Sequence, residues 1–124
     1  MIKLILAIAV IESGMNPKAI GDNGKSVGIM QIQVPVITDV NYFCKKKYKS
    51  SDRLDPQKSF EICKLYLEYW GSVYTDRTGK EPSPEVLAKI WNGGAYGWRK
   101  EGEVGERLDR YWFKVQEELN RLQK

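Results

Sequence analysis

The sequence predicts one mainly helical domain with little or no β-sheet, and three observations carry that expectation. Apolar residues recur every three or four positions from Phe60 to Tyr74 and again from Leu108 to Leu122, the repeat of a helix with one buried face. Asp55-Pro56 and Ser83-Pro84 each set a capping side chain directly before a proline, a common way for a helix to begin. No segment sustains the one-in-two alternation of a half-buried strand. With 124 residues, 42% of them hydrophobic, the chain is long enough for one real core and short of two, so residues 1–124 are read as a single domain.

A first helix is expected over residues 2–14. Residues 4–11 are apolar without interruption, so that helix should be buried on most of its sides. Gly14 is placed to end it. Lys3 before an apolar run imitates an export signal, but the run ends in Glu12 instead of a small-residue cleavage site and is too short to span a bilayer. It is read as the first helix of the folded domain, in a chain with no clear signal peptide and no stable membrane insertion.

Residues 15–27 read as a loop, with Asn16-Pro17 and Asp22-Asn23-Gly24 as turn formers. From Ile29 to Phe43 the chain is largely apolar and β-branched, yet Pro35 interrupts it, which favours a short turn, a break and a helix from near Pro35 over a strand. Residues 44–53 contain Lys45, Lys46, Lys47, Lys49 and Arg53, a basic and exposed connection. A long helix follows from Asp55-Pro56, with Phe60, Cys63, Leu67, Trp70 and Tyr74 on its apolar face, and residues 76–83 read as a polar loop. A short helix over residues 85–92 is stopped by Gly93-Gly94. After a glycine-dotted loop, Leu108, Tyr111 or Trp112, Val115, Leu119 and Leu122 line a last amphipathic helix.

Composition excludes several chemistries. There is no histidine, which removes histidine triads, histidine metal sites and the usual neutral-pH switch. Cys44 and Cys63 are too few for a structural zinc site and form either one disulfide or two thiols. The net charge of +4, from 20 Lys and Arg against 16 Asp and Glu, suits a nucleic acid, a membrane surface or an acidic wall polymer. It equally suits a soluble surface with no particular partner.

Glu12 is the leading candidate for chemistry. A carboxyl at the end of a fully apolar helix is poorly solvated, which disfavours its charged form and lets it act as a general acid near neutral pH. The alternative is an ordinary helix-end acid in solvent. Asp22 and Asp39 are the candidates for a second carboxylate, as a two-carboxylate glycosidase would need. Asp22 also reads as a turn former, and Asp39 as a face residue of the second helix, so neither makes a compelling pair.

Ile11-Glu12-Ser13 with Asn16-Pro17-Lys18-Ala19, followed by Ser26-Val27-Gly28-Ile29-Met30-Gln31-Ile32, resembles the first two motifs of the SLT-type lytic transglycosylase domain. That family lies in the lysozyme-like superfamily and is also similar to goose-type lysozymes. Leu54-Asp55-Pro56 leading to Lys64-Leu65-Tyr66-Leu67 is similar to its middle helix. Ala88-Lys89-Ile90-Trp91-Asn92-Gly93-Gly94 resembles its third motif, and Arg110-Tyr111-Trp112-Phe113-Lys114-Val115 its closing tyrosine-containing helix. The resemblance spans nearly the whole chain, in the right order.

The resemblance implies a lysozyme-like fold and cleavage of peptidoglycan between N-acetylmuramic acid and N-acetylglucosamine, with Glu12 as the acid. One acid then suffices, because its carboxylate can take the muramoyl 6-hydroxyl proton to give a 1,6-anhydro product without water. Carried across position by position, Ser13, Ser26, Met30, Gln31, Trp91, Asn92, Tyr96 and Tyr111 become candidate substrate-binding residues. Trp98, like Trp91 and Tyr96, could stack on a sugar face. Several of these have an everyday alternative: Met30, Trp91 and Trp98 as core, Ser13 as a cap, Gln31 as a tie between loop and helix, and Asn92 as a turn former. The resemblance implies no metal or organic cofactor, and a monomer acting at the bacterial cell wall, in the periplasm, outside the cell or delivered by a phage.

Two departures matter. Family members often carry Tyr immediately before the third-motif Asn, where its hydroxyl reaches the acid; here that residue is Trp91, so the tuning of the acid must differ or come from Tyr111 or Tyr96. The loop Gly21-Asp22-Asn23-Gly24-Lys25 is one residue longer than is common, which brings Asp22 toward the cleft and leaves room for a hydrolytic, water-using reaction. A glycan-binding module that has lost catalysis is the rival of another class, favoured by Trp91 and opposed by Glu12, Gln31 and Asn92. A small basic nucleic-acid binder ranks last, resting on charge alone.

Overall fold

The apolar run forms α1 (Ile2–Ser13), and in the computed structural model, which describes residues 1–123, the other elements pack around it. Leu4, Ile5, Ala7, Ile8 and Ala9 are buried, while Met1, Ile2 and Lys3 are exposed. Gly14 stops the helix in the left-handed conformation at φ 63°, and the amides of Gly14 and Met15 turn back onto the Val10 and Ala9 carbonyls.

The expected loop contains a two-stranded antiparallel sheet, β1 (Ile20–Gly21) and β2 (Ser26–Val27), with Ile20 opposite Val27 and Gly21 opposite Ser26. A 3-10 turn, Asp22–Gly24, joins the strands, and Val27 also bridges to Ile32. With two residues per strand, this is the small amount of sheet the sequence allowed.

The remaining helices are α2 (Val34–Cys44), α3 (Pro56–Thr78), α4 (Pro84–Gly93) and α5 (Gly102–Leu122). The proline-marked starts are real caps: Asp55 accepts from the Lys58 amide and Ser83 from the Val86 amide. Pro35 stands in the first turn of α2. A 3-10 turn, Ser50–Leu54, lies within the basic connection, and another, Gly97–Arg99, precedes α5.

Several boundaries differ from expectation. α5 begins at Gly102, so Gly102 and Gly105 of the expected glycine-dotted loop lie within a helix, and α4 includes Gly93. Asp76, Arg77 and Thr78 belong to α3 instead of the following loop, since no glycine or proline stops that helix before Gly79, which takes φ 73°. Cys44 ends α2 instead of opening the connection. Of these, the early start of α5 bears on the site, because Arg107 lies in that stretch of the helix.

α5 packs along α1, α4 packs on α5, and α3 lies between α2 and α4. The core they share includes Ile5 and Ile8 of α1, Met30 and Ile32 of the loop, Ile62, Cys63 and Leu67 of α3, Ile90 of α4 and Val115 of α5. Cys44 and Cys63 are both free thiols, with Cys63 fully buried, so the disulfide alternative is not realised. No described helix is long and apolar enough to cross a membrane.

Candidate active site

Glu12 stands in the last turn of α1, where the chain leaves the core. Ser13 fixes that exit: its hydroxyl donates to the Ile29 carbonyl at 2.7 Å and accepts from the Asn16 amide at 3.2 Å. The returning loop then passes very close to the connection before α3. A Cβ on Gly28 would stand 1.8 Å from the Arg53 carbonyl oxygen, and Gly28 has φ +86°, so this approach requires glycine. Arg53 closes the contact from its other end, its guanidinium donating to the Lys25 and Ile32 carbonyls.

Two residues of this loop reach the site from strained backbone. Gln31 has φ 53° and is held by its own amide, which donates to the Ala19 and Gly28 carbonyls at 3.0 Å each. Asp22 has φ 50° and accepts from the Ser26 hydroxyl at 2.5 Å, while Ser26 accepts from Gln33 at 3.1 Å. Left-handed backbone costs a residue with a side chain about 1–2 kcal/mol, and here hydrogen bonds on both sides hold it. Such strain is concentrated at functional sites.

The opposite wall comes from α4 and α5. Asn92 lies in the last turn of α4 and accepts from the Arg107 guanidinium. Tyr111, on the face of α5 toward α1, donates its hydroxyl to the Glu12 carboxylate at 2.8 Å. Between the walls runs a cleft of about 470 Å³ whose lining includes Glu12, Asp22, Ser26, Gln31, Tyr66, Trp91, Asn92 and Arg107. Beyond Glu12 a second compartment of about 330 Å³ is lined by Ile11, Asn92, Arg107, Arg110, Tyr111 and Lys114. A separate hollow of about 380 Å³ between α3 and the start of α4, lined by Met1, Leu67, Gly71, Pro82 and Leu87 among others, contains none of the candidate site residues.

Burial dominates the electrostatics of Glu12, pushing its carboxyl from the ordinary 4.5 up to about 7. Hydrogen bonding from Tyr111 and from the Asn92 amide opposes that rise, and the negative charge of Asp22 adds to it. The Tyr111 phenol is itself pushed well above its usual range by burial and by Glu12, so it stays a donor. Near neutral pH Glu12 is therefore poised between acid and carboxylate, able to give a proton and take one back.

The sequence candidates are not all brought together. Glu12, Asp22, Ser26, Gln31, Trp91 and Asn92 line the main cleft, and Tyr111 stands over Glu12 in the adjoining compartment. Three of the other candidates stand outside the lining of the main cleft. Met30 is wholly buried, so it is core and not a wall of the cleft. Ser13 spends its hydroxyl on Ile29 and Asn16 and is not among the cleft-lining residues. Tyr96 also lies outside the cleft lining: the Arg77 and Arg99 guanidinium groups sit over its ring at 4.9 and 4.4 Å, and it meets the edge of Trp70.

Trp91 is mostly buried and packs edge-on against Tyr66, their centroids 5.6 Å apart. Among the described residues, the hydroxyl that reaches Glu12 is that of Tyr111. Asp39 is half-buried on α2, close enough to Tyr66 to help raise its phenol, but it is not part of the cleft lining. Lining residues that the sequence did not put forward include Tyr66, Gln33, Arg107, Arg110 and Lys114. Their only sequence signal was position: Tyr66 within the middle-helix motif, Arg110 and Lys114 flanking Tyr111. Among the described residues, no three His, Cys, Asp or Glu side chains gather closely enough to hold a metal ion.

Set beside known proteins, residues 1–111 match the family described as "Transglycosylase SLT domain". No curated protein and no solved structure matches the chain.

Proposed function

Since the chain belongs to the transglycosylase SLT domain family, within the lysozyme-like superfamily, we propose that it cleaves the β-1,4 bond between N-acetylmuramic acid and N-acetylglucosamine in peptidoglycan, releasing a 1,6-anhydro product. The observation that carries this reading is the single poised acid: Glu12, raised to about 7 by burial and gripped by Tyr111 at 2.8 Å. Protonated Glu12 gives its proton to the glycosidic oxygen as the bond from C1 breaks. The substrate's own N-acetyl group shares the charge developing at C1. The resulting carboxylate then takes the proton of the muramoyl 6-hydroxyl as that oxygen bonds to C1, which restores the acid. No water is consumed and no second carboxylate is needed.

Each wall of the cleft has a task in this reading. Gln31, Asn92 and Ser26 offer hydrogen-bonding groups suited to sugar hydroxyls and acetamides. Tyr66 and the edge of Trp91 offer an apolar floor for sugar faces. Tyr111 orients the carboxyl and moderates its proton affinity. Cleavage of this kind belongs where peptidoglycan is, at the bacterial wall, and the net charge of +4 favours retention on an anionic wall.

A hydrolytic, lysozyme-type outcome is the second reading, and Asp22 is the observation that favours it. Its carboxylate lines the same cleft and acts on Glu12 through its charge, which supports a part in holding a water. The mass of the product from purified peptidoglycan separates the two, because the anhydro product is lighter by one water. Glu12→Gln should abolish product release. Full activity in that variant would overturn both readings, and a hydrated product would overturn the first.

A further inference from the structure

The compartment beyond Glu12 differs in character from the main cleft. Arg107, Arg110 and Lys114, at i, i+3 and i+7 of α5, bring three cationic side chains to one side of it. Ile11 supplies an apolar wall and Asn92 a polar one. Among the described residues, none of the three cations forms a salt bridge: Asp109 is taken by Lys89, Glu118 lies against Arg121, and Arg107 donates only to the neutral Asn92 side chain. The one carboxyl inside the compartment, Glu12, is substantially protonated near neutral pH. The compartment therefore holds a surplus of positive charge directly beside the reacting position.

A glycan of N-acetylated amino sugars alone is neutral and has no use for that surplus. The muramic acid residue differs from other amino sugars in its lactyl ether, which ends in a carboxyl or, once acylated, in a peptide stem that carries carboxylates of its own. An arginine fork matches a carboxylate with two parallel hydrogen bonds, and Ile11 suits the methyl group that flanks it in a lactyl or alanyl unit. We propose that Arg107, Arg110 and Lys114 form a carboxylate pocket that selects muramic-acid-bearing glycan over neutral polysaccharide, receiving the acid of the lactyl ether or of the peptide stem. The inference rests on the peptidoglycan reading of the same cleft and adds to it the part of the substrate that is recognised.

Binding to a protein that does not cut tests it independently of catalysis. Glu12→Gln protein is titrated calorimetrically with muramic-acid-containing tetrasaccharides bearing intact stems, with the same fragments after removal of the stems, and with each after its carboxyls have been converted to amides. Amidation is expected to weaken binding at least about tenfold, equivalent to about 1.4 kcal/mol. Whichever unmodified fragment binds more tightly identifies the source of the carboxylate. Adding Arg110→Ala and Lys114→Ala should shrink the difference between acid and amide severalfold, with Arg107 left as the one pocket cation, whereas Arg110→Lys with Lys114→Arg should keep most of it. Equal binding of acid and amide forms, or discrimination undiminished in the double alanine variant, would overturn the proposal. A wild-type chain that cuts no peptidoglycan would instead overturn the cleavage reading, and the binding comparison would still decide the pocket.

Discussion

Replacing Glu12 by Gln should stabilise the protein in alkali and leave it unchanged in acid. The carboxyl rises from 4.5 to about 7 on folding, so between those values the folded chain holds a proton that the unfolded chain has already released. Stability is therefore full below about pH 4.5 and falls as pH rises through about 7. At roughly 1.4 kcal/mol for each tenfold change in proton affinity, the full cost of an ionised Glu12 is about 3 kcal/mol. Gln is neutral throughout and keeps an oxygen able to accept from Tyr111. The variant should match the wild type near pH 4 and exceed it near pH 8 by up to about 3 kcal/mol, on the order of 10 °C in Tm for a chain of this size. Urea unfolding followed by tryptophan fluorescence at several pH values reads the gap directly. A gap that does not open with pH, or a wild type more stable than the variant near pH 8, would refute the claim that burial holds Glu12 protonated.

Tyr111→Phe removes a donor to the charged form of Glu12, so the carboxyl should rise further and the alkaline limb of the pH–rate profile should move to higher pH. Losing a hydrogen bond to a charged group, worth about 1.5 kcal/mol at the low end, should also lower kcat about tenfold; a limb that stays put would remove Tyr111 from the tuning of Glu12. Gly28→Ala puts a side chain at φ +86° and 1.8 Å from the Arg53 carbonyl, and it should cost at least about 2 kcal/mol in urea unfolding. A loss of under about 1 kcal/mol would mean that the loop crosses the connection before α3 less tightly than these distances require.

The helices were legible because each rests on a local signal: the apolar run of α1, the Asp55-Pro56 and Ser83-Pro84 caps, and the periodic faces of α3 and α5. Glu12 was legible for the same reason, an acid at the end of a run that had to be buried. The walls of the site were not, because they depend on where distant segments meet. Tyr96 looked available in a glycine-rich loop, yet two arginines from separate parts of the chain lie over it. Met30 lies within the motif that builds the site and still turns into the core. Arg107 is an exposed residue of α5, and only the packing of α5 against α1 and α4 brings it to the cleft. The motif resemblance supplied Tyr111 as a candidate, but its bond to Glu12 spans 99 residues of sequence, a relation that no local pattern contains.

The composition of α1 follows from what the site costs. An ionised Glu12 opposes folding by about 3 kcal/mol, and the left-handed backbone at Asp22 and Gln31 adds about 1–2 kcal/mol for each residue. Burying a leucine or isoleucine side chain contributes about 1.5–3 kcal/mol, and Leu4, Ile5 and Ile8 are all buried in α1, together with Ala7 and Ala9. Three such side chains offset the destabilisation at the helix's own end. The same apolar surroundings that supply this stability also exclude water from the carboxyl, so the two effects cannot be separated by sequence changes within the run. A polar residue near Ile8 would loosen the core and let water reach Glu12, returning its proton affinity toward that of an ordinary glutamate. The uninterrupted apolar run is thus required twice, once to hold the helix in place and once to keep its acid protonated.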